Sequence, residues 1–283
     1  MLSCSVFGVL LGVIFICVIF FDKTCHTIPM MFVANSCLAQ IIFGSCTISM
    51  TLFTLQNDLK QIWYYNSFCH FLGYYGYVVT ALQNCSYLLP AIYRYFVVVY
   101  PNRVLWQSVK IQISLICLTW IFAFVYPIAF LFTGDIVYNV DNQICQMTLK
   151  FSFPIIYMAF CAYMMPVSMI MFIYFKLVQY VREISKHITP VNTLSRAKLE
   201  LKMVRRIVIL ISILLILGLP YTIFIFMSFF NSAPKYHFRI AYIFINVSFL
   251  LVIITLYTFT EPLKTSIMKR FNSRPNAILP TIT

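Results

Sequence analysis

Few residues in this chain could do chemistry, and their positions narrow the kinds. All seven acidic residues, Asp22, Asp58, Asp135, Asp141, Glu183, Glu200 and Glu261, fall between or at the edges of long uncharged stretches. Proton relays, ion-coupling sites and acidic selectivity rings need carboxylates inside an apolar span; none lies there. Hydrolysis within a membrane would need paired acids, a His/Glu metal motif or a nucleophile beside a base. His26, His70, His187 and His237 are scattered near stretch ends, which suits solvated histidine better than metal ligation. No enzyme, no metal site and no cofactor is expected. Seven of the ten cysteines (4, 17, 37, 46, 85, 117 and 161) lie inside apolar stretches, where cysteine serves as a small apolar residue. Cys25, Cys69 and Cys145 lie at or beyond stretch ends. Arg94, between Tyr93 and Tyr95, is a cation at the end of a stretch, and alone it would be an anchor reaching for the interface.

The elements that must position these residues follow from composition. The chain has 283 residues, 62% hydrophobic and 10% charged, against roughly 45–50% and about 25% in an ordinary soluble domain. Charges are absent from 1–21, 24–57, 61–93, 111–134, 151–175, 207–234 and 240–260. Each stretch meets the roughly 20 residues that a helix needs to cross a bilayer. They are apolar on every face, which excludes a transmembrane β-barrel with its alternating strands. The first lacks a basic start and a small-residue cleavage pattern before Asp22, so it is expected to be a mature helix and not a signal peptide. The expectation is an all-α, integral membrane bundle of seven helices, one domain over 1–283, with helices near 2–21, 28–54, 69–98, 108–132, 153–182, 198–229 and 238–259. Leu263, Ile267 and Phe271 recur at four-residue spacing beside Lys264, Lys269 and Arg270, which predicts an amphipathic helix over about 262–271 on the membrane surface.

Orientation follows from the 20 Lys and Arg residues, because basic connections stay cytoplasmic. With the N-terminus outside, 16 fall on inner segments and Lys60, Lys150, Lys235 and Arg239 on outer ones. The net charge of +13 then marks a cytoplasmic face that meets anionic lipid, and nucleic-acid binding is the weaker reading. Cys25 faces the reducing side. Cys69 and Cys145 share the oxidising side, so a disulfide between them is physically sensible; the alternative is two free thiols. Pro220, inside the sixth helix, removes a backbone hydrogen bond and kinks it.

Taken in order, these residues resemble the rhodopsin-like (class A) G-protein-coupled receptor family over essentially the whole chain. Asn35-Ser36-Cys37-Leu38-Ala39-Gln40 is similar to the helix 2 motif Asn-Leu-Ala-x-x-Asp, and Tyr93-Arg94-Tyr95 to Asp-Arg-Tyr. Cys69 and Cys145 match the family's disulfide, and Trp120 its helix 4 tryptophan. Pro166 with Tyr174, Pro220, and Tyr257 before Glu261-Pro262 match helices 5, 6 and 7. No single match is specific; their joint order is. The departures mark a divergent member. Gln40 replaces the Asp that holds the family's sodium ion, so that site is expected to be weakened or absent. Gly218 stands where a tryptophan precedes the helix 6 proline, Ile253 and Ile254 replace Asn-Pro, and Tyr93 replaces the Asp beside Arg94.

The resemblance implies a receptor, expected at the plasma membrane, that turns binding of an extracellular ligand into activation of a heterotrimeric G protein. Arg94 would engage Tyr174, Tyr257 and the G protein, with Lys176, Arg182, Lys198, Lys202, Arg205 and Arg206 around the cleft. Glu200 would restrain Arg94 at rest; the alternative is local pairing of Glu200 with Arg196, Lys198 or Lys202. Candidate ligand contacts are Gly73, Gly76, Tyr77, Thr80, Tyr221, Phe224 and Tyr242. Gly76 occupies the position of the family's amine-binding Asp, which disfavours a monoamine. Helix 7 has no Lys between Ile240 and Thr260, which disfavours a retinal-linked opsin. A peptide or a neutral small molecule remains, with peptides ahead on family frequency. The rivals are a receptor-like scaffold without coupling, motivated by Gly218, Ile253 and Ile254, and a transporter or channel, for which Gln40, Asn84 and Asn246 are the available buried amides.

Overall fold

The structure is a computed structural model that describes residues 1–60, 67–186, 209, 212–230 and 232–272. Long helices dominate it: α1 Leu2–Phe21, α2 Ile28–Lys60, α3 Ser67–Val99 and α4 Val109–Val125, which Ala129–Thr133 continues. α5 runs from Phe153–Ala159 through one π-helical turn, Phe160–Met164, into Met165–Lys186. α6 is Ser212–Phe229, α7 His237–Phe259 and α8 Glu261–Asn272. α2 extends six residues beyond its expected end, because Asn57 is buried and Asp58 finds an ionic partner on α7.

Six of these helices are long and apolar enough to cross a membrane, and α3 is not among them. The expected helical membrane bundle is present, with α3 less apolar than the other long helices. α3 buries sixteen residues among its neighbours, including Gln83, Asn84 and Ser86, so it sits at the centre of the bundle with its polar groups shielded from lipid.

Three prolines, Pro90, Pro166 and Pro220, lie past the first turn of a helix, and each leaves the carbonyl four residues earlier without its usual donor. Pro90 frees the Ser86 carbonyl, which accepts from Ser36 Oγ at 3.1 Å. Pro166 frees that of Ala162, which accepts from Asn84 Nδ2 at 2.7 Å. Side chains on neighbouring helices therefore pin α3 and α5 where their own ladders break. For α6, no side chain among the described residues bonds the Ile216 carbonyl that Pro220 frees. Asn84→Ala would orphan a buried carbonyl and is expected to cost about 1–3 kcal/mol, read as a lowered thermal unfolding midpoint; an unchanged midpoint would contradict the pinning role.

Between α4 and α5 the chain forms a hairpin, β1 Ile136–Asn139 and β2 Ile144–Met147, paired antiparallel from Ile136 opposite Met147 to Asn139 opposite Ile144. At the opposite end, Asp22 caps the turn after α1 by accepting from Thr24 N at 3.0 Å and Thr24 Oγ1 at 2.8 Å. It also accepts from Ser266 Oγ on α8. These hydrogen bonds, that from Ser266 first, hold its carboxyl down at about 2 and tie α8 beneath α1. Leu263 of α8 is fully buried against Phe15, Cys25 and Leu256, as an amphipathic surface helix requires.

Candidate functional site

The hairpin is held over the bundle by one covalent bond. Cys69, in the first turn of α3, is disulfide-linked to Cys145 of β2 with the Cα atoms 5.4 Å apart. All four β2 residues are buried. Tyr77 reaches up from α3: its hydroxyl accepts from Met147 N at 3.0 Å and donates to Gln146 Oε1 at 2.7 Å. Gln146 Nε2 donates onward to the Tyr242 hydroxyl of α7 at 2.6 Å. Gln146, next to the bridged Cys145, thus joins α3 to α7 through two phenols.

Beneath this roof lies a cavity of about 230 Å³ among α2, α3, α5, α6 and α7. Of the expected ligand contacts, Gly76, Tyr77, Thr80, Tyr221 and Tyr242 line it. Gly73 does not: a Cβ there would lie 2.7 Å from the Cys145 carbonyl oxygen, so this glycine lets the hairpin approach α3. Phe224 does not either, and its ring packs 6.5 Å from that of His237 on α7.

Tyr163 is a wall residue that the sequence did not single out. It projects from the π-helical turn of α5, and its hydroxyl donates to the Leu214 carbonyl of α6 at 3.3 Å. A Cβ on Gly218 would meet that same hydroxyl at 3.2 Å. The space left by Gly218 is therefore filled from α5 by a phenol that also touches the α6 backbone six residues before Pro220. Its place three residues before Pro166 was the available signal.

A second cavity, of about 200 Å³, shares Thr47, Met50 and Tyr242 with the first and contains Asp58 and Arg239. These two form a bidentate pair, Nη1 to Oδ2 at 2.9 Å and Nη2 to Oδ1 at 2.7 Å. Each charge lies at the helix end that disfavours it, Asp58 in the last turn of α2 and Arg239 in the first turn of α7, and the pairing offsets both. The fully buried Asn142 ties the hairpin to the same corner, donating to the Lys235 carbonyl at 3.2 Å.

At the opposite end the expected coupling residues do not share one packing cluster: Tyr95 and Tyr174 pack in one and Tyr257 in another. Arg94 is half-buried, and its Nη1 is buried with no hydrogen-bond partner among the described residues. Tyr93 packs on Phe32 of α2 with ring centroids 5.5 Å apart, and Tyr95 meets Tyr100 edge-on at 6.0 Å. Tyr174 is buried with Tyr87, Leu88 and Ala91 of α3. Tyr257 is elsewhere, stacked on Phe15 of α1 at 5.5 Å. Pro220 is within α6; Glu200, Lys198, Lys202, Arg205 and Arg206 lie outside the described residues. Gln40 is buried and donates from Nε2 to the Tyr87 hydroxyl.

The sequence matches the family model described as 7 transmembrane receptor (rhodopsin family) over residues 12–259. No curated protein matches the chain. Among solved structures, the crystal structure of squid rhodopsin superposes with a TM-score of 0.78 at 18% identity, covering 95% of this chain and 82% of the squid chain. The chain belongs to the rhodopsin family of seven-transmembrane receptors.

Proposed function

We propose that this receptor binds a ligand in the roofed cavity and passes the event to a heterotrimeric G protein at the Arg94 end, without catalysis of its own. By the distribution of Lys and Arg, the hairpin end faces outward and the α8 end inward at the plasma membrane, with the basic α5 end, Lys176 and Arg182, beside anionic lipid and the G protein.

One observation carries this reading: the prolines of α3 and α5 have their freed carbonyls bonded by neighbouring side chains, whereas that of α6 has none among the described residues. A bundle with two pinned proline breaks and one loose one has a natural two-state element. The loose helix is also the one that Tyr163, a cavity wall residue, holds by a single hydrogen bond. A ligand that moves Tyr163 alters what restrains α6, and it shifts the population only as far as it binds the open state better.

The transporter rival is less supported, because the amide nitrogens it would use donate locally and only Gln40 Oε1 is buried without a partner among the described residues. Gln40 binds Tyr87, Asn84 the Ala162 carbonyl, and Asn246 the Tyr242 carbonyl at 2.7 Å. Gln40 also brings no negative charge, so the family's sodium ion is not proposed here. Solubilised receptor depleted of guanine nucleotide should retain a Gα subunit and release it with a non-hydrolysable GTP analogue. Retention of no Gα class at normal surface level would favour the uncoupled scaffold instead.

A further inference from the structure

The walls of the larger cavity say what kind of molecule it can hold. Among its described lining residues there is no Asp, Glu, Lys, Arg or His. The undescribed residues of the α2–α3 and α6–α7 connections, 61–66 and 231, carry none of these either. An ionised ligand entering this space would lose water and gain no counter-charge, which costs several kcal/mol. Asp58 and Arg239 line the second cavity, where the two Nη atoms of Arg239 are taken by the Asp58 carboxylate and only its Nε is without a partner among the described residues.

The polar groups of the larger cavity are hydroxyls and amides set in a mainly apolar wall. The Tyr77 hydroxyl both accepts and donates in the roof, so it is occupied. The Tyr242 hydroxyl accepts from Gln146 and keeps its own proton to donate. That favours a ligand head that accepts a hydrogen bond, such as a hydroxyl or carbonyl oxygen. For size, a cavity of about 150 Å³ holds one benzene, and this one is about 230 Å³. The body that fits is apolar and about two fused rings across.

We infer that the cavity takes a small uncharged ligand with an apolar body of about two rings and one hydrogen-bond-accepting head at Tyr242, and that it rejects ammonium and carboxylate analogues of the same skeleton. This rests on the cavity being the ligand site of the proposed receptor. It reverses the preference for peptides that family frequency suggests.

The test uses the full chain in lipid nanodiscs at pH 7 with three probes of one skeleton: 2-naphthol, 2-naphthoate and 2-naphthylmethylamine. Thermal unfolding midpoints across a concentration series give apparent affinities. 2-Naphthol is expected to raise the midpoint and to bind at least about tenfold more tightly than either charged probe. Tyr242→Phe, which keeps the ring, should weaken the naphthol effect, and Thr80→Leu, which fills the cavity from α3, should reduce it further. A charged probe binding as well as 2-naphthol, no shift with any probe, or a naphthol shift untouched by both variants would each overturn the inference. No G protein is present, so failure here leaves coupling standing, and failure of coupling leaves this binding result standing.

Discussion

Arg94→Ala is expected to reduce receptor-stimulated nucleotide exchange to background while surface expression persists. Arg94 carries a buried Nη1 with no hydrogen-bond partner among the described residues, which leaves it open to an acceptor from outside them, Glu200 at rest or a G protein once engaged. A guanidinium held this way gains once an acceptor arrives, and a charge-assisted bond is worth about 1.5–3 kcal/mol, or about 10- to 100-fold in an equilibrium. Removing the side chain forfeits that gain and leaves the packing of Tyr93 on Phe32 and of Tyr174 against α3 in place. Arg94→Lys keeps the charge and loses the planar fork, so it should retain a fraction of the exchange. Full exchange by Arg94→Ala, measured as GTP-analogue loading at matched surface levels, would remove Arg94 from the coupling role.

The second large effect is expected from Cys69→Ala. The bond closes a loop between residues 76 apart in sequence, and losing such a closure typically costs about 2–5 kcal/mol. The cost is compounded by what hangs on it. Gln146 and Met147 follow Cys145 directly, and both bond to Tyr77, so a freed hairpin takes the cavity roof with it. Cys69→Ala, Cys145→Ala and the double variant should share one lowered unfolding midpoint, because each removes the same bond. An unaltered midpoint, or a double variant far worse than either single one, would contradict a purely shared role.

The sequence displays this fold through the interruptions between its uncharged stretches, since a bilayer forbids anything except helix in runs of that composition. α3 departs from the pattern because a helix enclosed by others need not be apolar all round, and only the packing reveals which helix is enclosed. The pairing of Cys69 with Cys145 was legible from sidedness. Its consequences were not, because nothing in the spacing of 73, 76, 77 and 80 shows that β2 already fills the space over Gly73. Phe224 lies one turn beyond Tyr221 on the same helix, yet its ring is turned to His237, a choice set by tertiary packing. Asp58 and Arg239 read in sequence as separate solvated charges 181 residues apart, and the bidentate pair between them is a property of the assembled bundle. Gly218 reads as a missing aromatic; the structure supplies an aromatic from another helix, Tyr163.

The most direct test of the receptor as a two-state device is nucleotide exchange on a panel of G proteins in membranes carrying the wild type or Glu200→Ala. Releasing the expected restraint on Arg94 should free the loosely held α6 without any ligand. Exchange above the wild-type level on at least one G protein is expected with Glu200→Ala. Background exchange on every G protein for both forms, at normal surface levels, would contradict it.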